Sequence, residues 1–181
     1  MAASLVVQTS FLGDTVLTTP LLVQLANRGA VDVVTTPASA SLLAGHPAVR
    51  EVIVYDKRGR DAGLFGFIGL VRRLRTSRYD AAYLAQGSVR SALLAALAGI
   101  PVRNGFATSG GAWLYTRRVA FREDLHHAAR LLLLEQLALA ADVAAVAFGQ
   151  HVLAHRLHRL PRDDLGPDRR LDDHLEQLPR D

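Results

Sequence analysis

The sequence contains no cysteine. That excludes a disulfide framework, a thiolate metal site and a cysteine nucleophile, and it fits a reducing compartment. Lysine is almost absent: of 21 cationic residues only Lys57 is a lysine and the rest are arginine. Neither G-x-G-x-x-G nor G-x-x-x-x-G-K-[ST] occurs, so a nicotinamide dehydrogenase and a P-loop nucleotidase both lose support. No cation precedes Arg28, so the basic n-region of a secretory signal is missing. The longest apolar stretch, 128–148, is interrupted by Arg130, Glu135 and Asp142, and interior charges make a membrane span costly. With one Trp and four Tyr, and cations spread along the chain, nucleic-acid binding has no footing. The expected location is cytoplasmic, soluble or peripheral to a membrane.

What is present suits a folded domain. Of the 181 residues, 50% are hydrophobic and 21% charged, enough to bury a core. The formal net charge is +4. An arginine excess suits phosphate or carboxylate partners, and a GC-rich genome yields the same bias.

Short β-rich runs alternate with helical ones. Strands are expected at 4–8, 31–35, 51–55, 80–85 and 102–106. Helices are expected at 15–27, 37–44, 63–75, 88–98 and 124–140. Pro20 is placed in the first turns of its helix. Alternation of this kind implies βαβ units and a parallel sheet covered on both faces. The fold class is therefore α/β, a Rossmann-like doubly wound sheet. Residues 1–145 form the expected domain. Residues 146–181 read as an atypical tail of His, Leu, Arg, Asp and Pro. His151, His155 and His158 have helical spacing there, but no third ligand is placed, so no metal site is expected.

Doubly wound sheets bind ligands at the carboxyl ends of their strands. The first such loop is Thr9-Ser10-Phe11-Leu12-Gly13-Asp14. Asp14 either caps the following helix or serves as a general base, and composition leaves both open. The helix dipole favours its ionised form.

Residues 4–25, SLVVQTSFLGDTVLTTPLLVQL, closely resemble the opening of the bacterial lipopolysaccharide heptosyltransferases. HPAVREVIVYDKRG (46–59), RYDAAYLAQGSVRSALLA (78–95), GIPVRNGF (99–106), WLYTRRV (113–119) and DLH (124–126) are similar to the same family in the same order. The flavour is closer to the enzymes that add the second heptose. The resemblance covers residues 4 to 140.

The resemblance implies the N-terminal half of an inverting GT-B glycosyltransferase, with ADP-heptose as co-substrate and the lipopolysaccharide inner core as acceptor. No metal or other cofactor is expected. Asp14 falls on the family's proposed catalytic base. Ser10 and Gly13 would shape its loop, Gly13 by close backbone approach or a positive φ. Gln86, Ser88 and Arg90 would line the acceptor side, Arg90 pairing with phosphate or carboxylate or lying as a solvated cation. Arg103 and His126 are weaker members of the same set. The family often has an acidic residue near position 129, where this sequence has Ala129. The donor domain has no counterpart here, so the chain is expected to be an incomplete enzyme with negligible transfer activity by itself. A related transferase with another nucleotide sugar, or a non-catalytic glycolipid- or partner-binding module, are the alternatives.

Residues 63–79 admit two readings. Leu64, Phe65, Phe67, Ile68, Leu70, Val71 and Leu74 followed by Arg72, Arg73, Arg75 and Arg78 fit an interfacial helix on anionic lipid. They also fit a core-packing helix with a solvated basic end, and that second reading is favoured.

Overall fold

Strand β1 (Ala2–Gln8) is an apolar run whose Leu5, Val6 and Val7 are fully buried. Adjacent side chains on a strand point to opposite faces, so burial of all three requires cover on both sides of the sheet. The computed structural model describes residues 2–136 and 139–140 and supplies that cover. Helices and strands alternate as α1 (Leu12–Ala26), β2 (Gly29–Thr35), α2 (Pro37–Leu43), β3 (Glu51–Val54), α3 (Gly63–Thr76), β4 (Ala81–Leu84), α4 (Val89–Leu97) and β5 (Val102–Phe106). A 3-10 turn (Ala112–Leu114) leads to β6 (Arg117–Val119), and a further helix, α5, begins at 127. The six strands are all parallel, in the order β3-β2-β1-β4-β5-β6. This is the α/β Rossmann-like doubly wound sheet.

Two apolar clusters flank the sheet. Leu5 and Val7 face Leu70, Leu74, Ala92 and Leu94 of α3 and α4. Val6 faces Leu21, Leu22 and Leu25 of α1, Leu43 of α2, and Leu131 and Leu134 of α5. The alternation of β1 thus assigns each helix to a face. Inside the sheet, Asp32 has no solvent exposure and is neutralised by a forked contact from Arg50, at 2.9 and 2.5 Å, with the Tyr79 hydroxyl donating at 2.6 Å.

Three local expectations change. Helix α1 starts at Leu12 rather than at 15, so Pro20 lies in its interior. Proline offers no N–H to the carbonyl four residues back; the Thr19 hydroxyl donates to Val16 O instead, at 2.8 Å. The helix expected from 124 begins at 127, after an Arg122–Asp124 ion pair at 2.7 Å. Strand β6 was not foreseen, because three residues, Arg-Arg-Val, show no periodicity. The tail histidines 151, 155 and 158 lie outside the described residues.

Candidate active site at the sheet rim

The strand order reverses direction between β1 and β4, and that is where open α/β sheets leave a crevice beyond their carboxyl ends. Here the loops after β1 and β4 diverge, tied by one bond: Thr9 Oγ1 donates to Gln86 Oε1 at 2.5 Å. Three cavities open around this pair, and Gln86 lines all of them.

The first holds about 520 Å³ and is lined by Ser10, Asp14, Gln86, Ser88 and His127, among others. Asp14 is the third residue of α1, not its cap. The N-cap is Phe11, which provides no side-chain bond. The Asp14 carboxylate is partly exposed and Oδ2 accepts from Ser10 Oγ at 2.7 Å. The backbone beneath it is fixed by Gln8, which is buried. Gln8 Nε2 donates to Thr18 Oγ1 at 3.1 Å, and Thr18 Oγ1 donates to Asp14 O at 2.7 Å. A carboxylate in the first helical turn, braced from below and open above, is placed to accept a proton from an incoming hydroxyl.

The other two cavities, of about 230 and 550 Å³, are shared by Thr9, Tyr55, Lys57 and Gln86. Arg90 lies between the rings of Tyr55 and Phe67, 5.4 and 5.5 Å from their centroids, which holds the guanidinium in a fixed plane. Lys57 Nζ donates to Thr9 O at 2.7 Å. Burial, then the positive charges of Arg58 and Arg90, push its ammonium below the ordinary lysine value. The Tyr55 hydroxyl is buried with no partner among the described residues. Three mutually repelling cations beside an unsatisfied hydroxyl make a site that an anion relieves.

The other expected residues sort by position. Ser88 caps α4, its Oγ accepting from Ser91 N at 3.1 Å, and also faces two of the cavities. Gly13 sits in α1 without a positive φ, so that expected reason for glycine does not hold. A Cβ there would meet nothing within 4 Å, which leaves room for close approach. Arg103 is not at the site. It lies near the start of β5, the opposite rim, and its guanidinium donates to Leu114 O at 2.8 Å and Ile100 O at 2.6 Å. His126 is exposed and its Nδ1 accepts from Ala128 N at 3.4 Å, so it caps α5. The imidazole that enters the Asp14 cavity belongs to His127, whose Nε2 is buried without a partner among the described residues. The doublet His126-His127 was the signal; choosing between the two required the helix start. Tyr55 and Lys57 were also missed as site residues, since neither carries a motif.

Among the described residues no group of three or more acidic or imidazole side chains is placed to hold a metal, and no helix is long and apolar enough to cross a membrane.

Residues 68–156 match the family model for glycosyltransferase family 9 (heptosyltransferase). The Asp14 loop precedes the matched segment. No curated protein matches the sequence significantly. Solved structures do. A family 9 glycosyl transferase from Veillonella parvula is 25% identical with a TM-score of 0.66, over 75% of this chain and 41% of its own. E. coli heptosyltransferase WaaC with ADP is 26% identical with a TM-score of 0.61, over 74% of this chain and 46% of its own. E. coli ADP-heptose lps heptosyltransferase II is 28% identical with a TM-score of 0.61, over 74% and 40%. The chain therefore spans less than half the length of each of these structures. Motif order, the matched family segment and the parallel sheet agree: over residues 68–156 the chain is similar to glycosyltransferase family 9 (heptosyltransferase), and its sheet is similar to the Rossmann-like fold of these solved structures.

Proposed function

We propose that this chain is the acceptor-side half of an inverting heptosyltransferase, acting on the lipopolysaccharide inner core with ADP-heptose as donor. The observation that carries this reading is the Asp14 carboxylate, held by Ser10 at the carboxyl rim of the sheet and facing an open cavity. In the reaction the acceptor hydroxyl gives its proton to Asp14 Oδ as its oxygen attacks the anomeric carbon. The bond to the diphosphate breaks, and its electron pair leaves with ADP. One displacement inverts the centre, so no nucleophilic side chain is needed. His127 lines the same cavity, and its Nε2 is buried with no partner among the described residues, so it is the imidazole we assign to the acceptor sugar. Lys57 and Arg90, with the Tyr55 hydroxyl, receive an acceptor carboxylate or phosphate.

The chemistry goes with the cytoplasmic face of the inner membrane, where a membrane-anchored acceptor is met. Donor binding belongs to the second half of such an enzyme, and acceptor binding to the rim described here. Calorimetric titration with a deacylated inner-core glycolipid tests this. Binding that weakens about tenfold or more in Arg90→Ala, and is retained in Asp14→Asn, supports it. Absence of binding by the folded chain refutes it. Binding with unchanged transfer by Asp14→Asn, once complemented by a donor half, would instead favour a non-catalytic module.

A further inference from the structure

Helix α3 packs Phe67, Leu70, Val71 and Leu74 against the sheet. Its other face begins with large apolar groups left exposed among the described residues: Phe65 is 92% exposed, Leu64 67% and Ile68 37%. These side chains are surplus to the core. Along the same outward stripe, at helical spacing, follow Arg72 and Arg75, both exposed and both without a carboxylate partner among the described residues. Arg73, by contrast, is held by Glu51 at 2.7 Å. The stripe from Phe65 to Arg75 is about 15 Å long at the α-helical rise.

The tip is rigidly mounted. Asp56 Oδ1 accepts from Gly59 N at 2.9 Å, Asp61 Oδ2 accepts from Asp56 N at 3.0 Å, and α3 opens on Gly63 at φ +79°. A Cβ on Gly66 would run into the backbone of Asp61, so this loop lies tight against the first turn of α3.

We propose that this outward face of α3 is a docking surface for an anionic lipid bilayer. With the helix axis near the membrane plane, Leu64, Phe65 and Ile68 enter the boundary between headgroups and acyl chains, while Arg72 and Arg75 lie at the depth of the lipid phosphates. Charge complementarity selects this occupant. A two-fold pairing with a second copy sets the guanidiniums against each other when the helices are parallel, and against the apolar tip when they are antiparallel. An interface that is apolar below and anionic above satisfies both ends of the stripe.

The test is co-sedimentation of the full 181-residue chain with vesicles of phosphatidylcholine plus phosphatidylglycerol, and with phosphatidylcholine alone. The vesicles hold no sugar acceptor, so the outcome is independent of the transferase reading. The chain should bind the mixed vesicles, bind the neutral ones little, and lose at least about tenfold in Leu64→Ser/Phe65→Ser. Arg72→Gln/Arg75→Gln should weaken partitioning, each guanidinium being worth roughly fivefold at an anionic surface. All four positions are exposed, and circular dichroism checks that each variant remains folded. No binding by the wild-type chain, equal binding to neutral vesicles, or unaltered binding by the Leu64→Ser/Phe65→Ser variant overturns the proposal. So does a dimer in solution that dissociates in that variant without any vesicle binding.

Discussion

Ser10 Oγ lies 2.7 Å from Asp14 Oδ2 and also 2.7 Å from Gln8 Oε1. A hydroxyl has one proton to donate, so Ser10 serves one acceptor at a time. Donation to Asp14 orients the carboxylate; rotation toward Gln8 releases it for an incoming hydroxyl. We therefore propose Ser10 as a positioning residue for Asp14. In the chain complemented by the donor half of a family member, Ser10→Ala should lower kcat by about tenfold with KM for acceptor little changed. A fall in acceptor affinity at constant kcat would contradict that role.

Lys57 is the only lysine in the sequence, so reductive methylation with a carbon-13 label gives one side-chain signal besides the α-amino group. Burial and the neighbouring Arg58 and Arg90 lower its ammonium from the ordinary 10.5. An anion seated among these groups offsets that repulsion. Titration by NMR should show a midpoint below that of a free lysine, moving upward when inorganic phosphate is added. A midpoint indifferent to phosphate argues against an anion site.

Tyr79 links the core to alkaline pH. Burial first, then donation to Asp32, holds its phenol above the ordinary 10.0. The folded chain therefore keeps this proton more tightly than the unfolded chain does. The corresponding stability is fully present below about pH 10 and is lost as pH rises beyond it. Urea midpoints should fall through that alkaline window in the wild type. In Tyr79→Phe they should fall less steeply, from a stability already lower by about 2 kcal/mol. Parallel alkaline slopes for the two proteins would show that this phenol is not the linked group.

Gly105 stands where a Cβ would overlap the ring of Tyr115, which is buried. Close contact of backbone and ring is what lets the segment leading to β6 lie along β5. Gly105→Ala should cost roughly 1–3 kcal/mol as an overpacking defect, measurable by chemical denaturation. A change under about 0.5 kcal/mol would mean that the ring moves aside freely.

The sheet was legible because its signal is redundant. Five apolar runs at strand length, separated by helical periodicity, permit little else, and β1 shows both faces in one Leu-Val-Val triplet. The position of Asp14 after the first strand was legible for the same reason. What escaped the sequence depended on where a helix starts. One residue of offset puts His127 in the cavity and His126 on the cap, and no periodicity resolves a single step. Arg103 lies near the start of β5, at the rim opposite the site, and charge type alone does not distinguish the two ends of a strand. Tyr55 and Lys57 became site residues through the tertiary approach of the β3, β1 and β4 loops, which local pattern does not encode.

The most direct measurement is heptose transfer by Asp14→Asn in the chain complemented with a family donor half, read together with acceptor binding by the same variant. Transfer should fall by about 10²–10⁴ with acceptor affinity unchanged. Transfer at the wild-type rate would contradict this and remove the carboxylate from the chemistry.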